Sequence, residues 1–286
     1  HVFDRLDRMA DELRADRSLP KFAQAITLYH MIVEGTLAQP GQHYIEDFFN
    51  KEGTMPGFSE GMQHVSRDEQ RHIGFGVKVL SEILPQSEEC RAAVVELLRE
   101  VNKYSLGVFC PPGFDRSYSQ CWGFELEDIY SFGLKLVRQR WKTIGFPMEE
   151  MPKDVWPLDH SLTADEIAAQ QIKLLLAGVT GAPCSHPDSS PEVQGLLFDL
   201  MARSANTRGA QNGPFTVQWR FTDASPWHMV VNNGSTRAVA GQSPHPDVTL
   251  STDWGEWVSI AMNDANPLKS IAGRKDQFAA PVAAFR

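Results

Sequence analysis

Apolar residues recur at helical spacing through the first half of the chain. Val2, Leu6, Met9 and Leu13 fall about one turn apart, as expected when one helix face is buried. Leu19-Pro20 interrupts the pattern. A second helix is predicted over residues 22–38, ending ahead of Pro40-Gly41 and resuming through Phe49. Gly53-Thr54-Met55-Pro56-Gly57 reads as a turn. Further helices are predicted over 58–84, over 89–105 and, beyond the Pro111-Pro112-Gly113 loop, over 125–144. Residues 146–190 are rich in Pro and polar residues and hold one short helix, whose start looks capped by Thr163 with Glu166 three residues on. Its end, 181–191, is the clearest linker in the chain.

The period changes after Pro191. One amphipathic helix (192–205) precedes short alternating runs. Phe215, Val217, Trp219 and Phe221 alternate with Thr216, Gln218 and Arg220, which is strand periodicity. Runs at 227–231 and 236–240 flank Asn232-Asn233-Gly234-Ser235, and an Asn-Gly pair between such runs signals a hairpin. Val248-Thr249-Leu250 reads as another strand, with helices predicted over 253–263 and 267–271. The chain is therefore expected to hold an all-α domain (1–145), a linker with a short helix (146–190) and an α+β domain (191–286).

Composition narrows the function classes. The net charge of -9 argues against a nucleic-acid surface, which needs Lys and Arg to neutralise phosphates. No run approaches the ~20 apolar residues of a membrane span, and no secretory signal is evident. Cys90, Cys110, Cys121 and Cys184 are widely spaced with no Cys-x-x-Cys pair. Reduced thiols and a cytoplasmic location are expected. The chain begins at His1, without Met and already in a helical pattern, so it is expected to be the later part of a longer protein.

Two helices hold the candidate chemistry. The 22–41 stretch has one formal charge, Glu34, on an otherwise apolar helix. A carboxylate there costs several kcal/mol unless paired, protonated or metal-bound. A buried Arg or Lys from another helix is one partner; a metal ion is another. On the next helix, Phe58, Met62, Val65, Gly76, Val79 and Ile83 form a stripe, and Glu69 and His72 fill its gap. Their i, i+3 spacing stacks them on one face. A Glu-x-x-His on an inward face beside a Glu from a neighbouring helix is the donor logic of di-iron and di-manganese carboxylate bundles. His30, His43 and His64 read as packing or surface residues, and His30, one turn before Glu34, is the best placed to support a ligand.

The stretch TLYHMIVEGTLAQPGQ followed by EGTMPGFSEGMQHVSRDEQRHIGFGV strongly resembles the ligand-binding oxidases related to the ribonucleotide reductase small subunit. Glu34, the Arg-Asp-Glu-x-x-His and the Gly-x-x-Pro-Gly turn occur in that family's order, with 35 residues from Glu34 to Glu69. The resemblance covers about residues 1–145. It implies a ferritin-like bundle with a manganese–iron or di-iron centre, activating dioxygen beside a bound long-chain fatty acid. It implies that Glu34, Glu69 and His72 are three of six metal ligands and that Asp68 holds a ligand histidine by a hydrogen bond. Tyr29 matches a tyrosine that becomes ether-linked to an aliphatic side chain, although an ideal α-helix does not bring positions five apart onto one face. The family's remaining Glu and earlier Glu-x-x-His are absent. His1 stands 33 residues before Glu34, but the resemblance places it on a connecting helix. Weak metal binding is expected from three ligands.

The second half carries FTVQWRF, WHMVVNNGSTRAVAG and HPDVTLSTDWGEWVSIAMNDANPLKSIAGRKDQF. These resemble the sterol-carrier-protein family over about residues 190–286, with a departure at Asp276-Gln277, where that family has Gly-Asp. The resemblance implies a sheet and helices over an apolar tunnel for fatty acyl chains or sterols. Trp219, Met229, Trp254, Trp257 and Met262 are the candidate contacts; they equally suit an ordinary core.

The leading expectation is thus a dioxygen-activating dinuclear oxidase fused to a lipid-carrier domain, with a small apolar ligand as partner. The alternative is a non-catalytic lipid- or sterol-binding protein whose bundle is a scaffold. A homodimer is left open.

Overall fold

The computed structural model describes residues 2–110, 114–181, 184–205 and 213–262. His1, the Pro111-Pro112-Gly113 loop, the helix predicted over 267–271 and Asp276-Gln277 lie outside the described residues. The chain is mostly helical with a small four-stranded sheet. It divides into two compact units: 1–155 with 159–172, and 156–158 with 173–286.

The first unit is helical. α1 (Val2–Ala15) buries Val2 and Met9 as the periodicity predicts. α2 (Leu19–Ile26) starts where a break was expected. Ser18 caps it, and Pro20 sits in its first turn, where a missing N–H goes unused. A π-helix (Thr27–Ala38) follows directly and passes into α3 (Gln39–Glu52). The predicted stop at Pro40-Gly41 therefore does not occur. Pro40 falls in the first turn of α3, a position that tolerates a residue without an N–H.

α4 (Pro56–Ile83) runs without interruption through the Glu69-x-x-His72 motif. Its buried positions are Ser59, Ile73, Gly76 and Leu80. Phe58 and Val65, placed by their spacing on the buried stripe, are exposed instead. α5 (Glu88–Ser105), the short α6 (Ser117–Gln120) and α7 (Leu126–Ile144) follow. α7 buries ten residues, Arg140 among them. α8 (Ala164–Leu176) starts as predicted: Thr163 Oγ1 accepts from the Glu166 N–H at 3.2 Å, and the Glu166 carboxylate accepts from the Thr163 N–H at 2.8 Å.

The second unit packs α9 (Pro191–Ser204) and α10 (Trp254–Ala261) with a sheet of order β3-β2-β1-β4. The strands are β1 (Phe215–Phe221), β2 (Trp227–Asn232), β3 (Ser235–Ala240) and β4 (Val248–Thr252). β2 and β3 form the predicted hairpin, in register Asn232↔Ser235, with Gly234 at φ 82° in the turn. β4 pairs parallel to β1, placing the strand that alternation alone could not. Among the described residues no helix is long and apolar enough to cross a membrane, and all four cysteines are free.

Candidate metal centre

The site begins with the π-helix. Its backbone bonds run i→i+5, as where the Gln39 N–H donates to the Glu34 carbonyl; the Thr36 side-chain Oγ1 also donates to Met31 O at 2.7 Å. Such helices are rare and mostly single-turn features at functional sites. The wider turn brings residues five apart nearer to one face, and the Glu34 charge is the main cause that raises the Tyr29 pKa.

Pro40 leaves one carbonyl needing help. In i→i+5 register the Gly35 oxygen would accept from residue 40, which has no N–H. Arg140 of α7 supplies the donor: its Nη1 bonds to Gly35 O at 2.5 Å, and its Nη2 to Gln39 Oε1. Burial lowers the Arg140 pKa to about 10, which still leaves the guanidinium charged at neutral pH. This is the buried arginine that Glu34 was open to pairing with. It serves backbone and amide oxygens instead.

The Glu34 carboxylate is hydrogen-bonded to two histidines. Glu34 is 4% exposed. His30 Nδ1 donates to Oε2 at 2.7 Å and His72 Nδ1 to Oε1 at 3.1 Å; an ionised carboxylate only accepts, so the imidazoles are the donors. α4 approaches closely enough for this because Gly76 faces His30. A Cβ at Gly76 would lie 2.5 Å from the His30 Cβ.

Glu69 completes the group. One donor atom each from Glu34, Glu69 and His72 lies within 4.8 Å of the others. Burial, and secondarily the Glu34 charge, raises the Glu69 pKa; His72 and a hydrogen bond to Gln42 oppose the rise. The Glu69 Oε2 atom is buried without a hydrogen-bond partner among the described residues. An unsatisfied carboxylate oxygen beside a second carboxylate and an imidazole is a donor set that fits a divalent transition metal. Negative charge on Glu34, then burial, likewise raises the Tyr29 pKa.

Asp68 pairs within α4. Its Oδ2 is 3.8 Å from His72 Nε2, beyond hydrogen-bond reach, while its Oδ1 accepts from Arg71 at 2.7 Å. The sequence reading missed Arg140, Gly76 and Gln42. Arg140 had a visible signal: it is a charge on the apolar face of an otherwise amphipathic helix.

In the second unit, Trp219, Met229 and Trp254 are buried in one core with Phe198, and Trp257 and Met262 pack partly buried against it. Phe198 stacks on Trp227 with centroids 5.0 Å apart. The Trp219 and Trp257 rings are 5.4 Å apart, and the indole nitrogens of both are buried without a partner among the described residues.

No protein-family model matches the chain. Solved structures that resemble it include an R2-like ligand-binding oxidase variant with anaerobically reconstituted Mn/Fe cofactor, at 27% identity and TM-score 0.41, covering 48% of each chain. A second variant of such an oxidase, with aerobically reconstituted Mn/Fe cofactor, matches at 24% identity and TM-score 0.36, over 60% of this chain and 50% of that one. A stereoselective inverting sec-alkylsulfatase from Pseudomonas sp. matches at 17% identity and TM-score 0.26, over 69% of this chain and 26% of that one. The chain thus spans about half the length of the R2-like oxidases it resembles.

Proposed function

We propose that the helical unit is the metal-binding part of a dinuclear manganese–iron or di-iron oxidase that acts on or beside an apolar ligand. The convergence of Glu34, Glu69 and His72 carries this reading. Such a centre supplies one-electron redox steps and dioxygen activation when bound. Glu34 and Glu69 are the anionic oxygen donors, and His72 offers Nδ1 once that atom gives up its proton. His30 steadies Glu34 through Oε2 and leaves Oε1 toward α4. Tyr29, whose pKa the Glu34 charge raises, is the phenol proposed for a redox or cross-linking role. Asp68, paired with Arg71, shapes the charge at the outer edge of the site.

Residues 191–286 are proposed to present an apolar ligand, a fatty acyl chain or a sterol-like molecule. The large aromatic and Met surface gathered around Phe198 supports this, because ligand pockets are mostly apolar with few polar groups and Met adapts to irregular shapes.

The test is a titration of the chain with manganese(II), followed by the loss of the free-ion paramagnetic signal. Binding is expected to be saturable but weak. Glu69→Gln and His72→Ala should abolish it, and His30→Ala should weaken it about 10–100-fold, the usual effect of removing a ligand's support. Binding untouched by all three variants would remove the metal-centre reading.

A further inference from the structure

A cleft lies where α3 meets the turn between α6 and α7. It encloses about 390 Å³, within the range of small-molecule pockets. α3 supplies Tyr44, Asp47, Phe48, Lys51 and Glu52, whose steps of three and four residues put them on one helix face. The turn supplies Trp122 and Phe124. Between them Gly123 takes φ 76°, and nothing lies within 4 Å of where its Cβ would stand.

The walls are aromatic and braced. The Tyr44 ring sits 4.7 Å from Phe124 and the Phe48 ring 5.0 Å from Trp122, so each pair joins α3 to the turn. Phe132 packs against Tyr44 at 6.1 Å and Phe49 against Trp122 at 6.0 Å. Rings held by such contacts are in place before a ligand arrives, which lowers the ordering cost of binding.

Charge selects the occupant. Three carboxylates, Asp47, Glu52 and Asp128, line the cleft with one ammonium group, that of Lys51. Lys51 pairs with Asp47 at 2.6 Å, so Glu52 and Asp128 are left without a cation among the lining residues. Asp128 is fixed in place by the cap of α7, where its Oδ2 accepts from the Glu125 N–H at 3.0 Å. The cleft also lies at the C-terminal end of α3, where the helix dipole is negative. A hard metal ion takes oxygens on most sides, and the rings deny it them. The carboxylates repel an anion and offer a neutral hydrocarbon nothing. An organic cation uses both parts of the lining, because aromatic rings attract ammonium groups, quaternary ones above all.

We propose that this cleft binds a small organic cation with a fully alkylated ammonium group, held by the Tyr44–Phe124 and Phe48–Trp122 ring pairs with Glu52 and Asp128 as counter-charges. The proposal stands independently of the metal-centre reading.

Ligand-observed NMR on the full chain tests this, with choline as the probe and saturation transfer to its methyl protons as the readout. Two controls separate the sources of binding. The carbon isostere, with a tert-butyl group in place of trimethylammonium, keeps the shape and loses the charge. Phosphocholine keeps the ammonium head and adds an anion. Saturable choline binding is expected, about tenfold tighter than the isostere, tighter than phosphocholine, and weaker as salt rises. Trp122→Leu should weaken it about tenfold and Glu52→Gln about threefold, at unchanged helix content. Lys51→Gln should tighten it about threefold, a gain that misfolding cannot produce. Equal binding of choline and its isostere would make this an apolar pocket and overturn the cation assignment, as would the absence of any gain from Lys51→Gln. Phosphocholine binding tighter than choline would point to phospholipid head groups and overturn the choice of a free cation. No saturable choline binding would overturn the proposal outright.

Discussion

Gly76 is the contact on which the geometry of the centre turns. Replacing it with Ala puts a Cβ 2.5 Å from the His30 Cβ and 3.1 Å from its Cγ, and the first distance is shorter than real carbon contacts allow. Overpacking of this kind costs about 1–3 kcal/mol. Ala also gains about 1 kcal/mol over Gly in a helix interior. Gly74, two residues away on the same helix, has nothing within 4 Å of its would-be Cβ. Gly74→Ala therefore takes the propensity gain without the clash. Comparing the two variants cancels propensity and isolates the contact: Gly76→Ala should be about 1–3 kcal/mol less stable than Gly74→Ala. Urea unfolding followed by far-ultraviolet circular dichroism measures the difference. The clash also pushes on His30, so Gly76→Ala should weaken manganese(II) binding while Gly74→Ala should not. Equal stability of the two variants would refute the close approach of α4 to the π-helix.

Arg140→Met keeps the apolar stem but removes the guanidinium donor to the Gly35 carbonyl; a loss of about 1–3 kcal/mol is expected from the unsatisfied oxygen, and wild-type stability would show that the π-helix needs no such support. Burial raises the Tyr130 pKa well above its ordinary value of 10, with its hydroxyl donating to Leu106 O. The neutral phenol is the favoured native form, so its contribution is complete below pH 10 and is lost as pH rises beyond it. Ultraviolet titration should show one tyrosine ionising only on alkaline unfolding, and Tyr130→Phe should remove that late phase; a phase that survives the substitution would assign the resistance elsewhere. The full chain should bind a fluorescent fatty acid saturably and release it to palmitate. Absence of saturable binding would make the second unit a packing module.

Periodicity alone located most of the elements, because helix and strand spacing record which side chains are buried and that record is local. The Asn-Gly hairpin, the Thr163–Glu166 cap and the change of period after Pro191 all follow from residues close in sequence. So did the chemistry of the donors: a lone Glu34 on an apolar helix and a Glu-x-x-His on the next are legible as a pair. The tertiary structure decided how they meet. The π-helix is invisible to a 3.6-residue period, and Arg140, which bonds to its Gly35 carbonyl, lies 105 residues away. The missing side chain of Gly76 lets α4 come near enough for His72 to reach Glu34. Phe58 and Val65 share the helical period of a buried stripe, yet they are exposed, because period reports that a face is apolar and not what covers it. Which neighbour a side chain meets is a property of packing between distant segments, and no local spacing contains it.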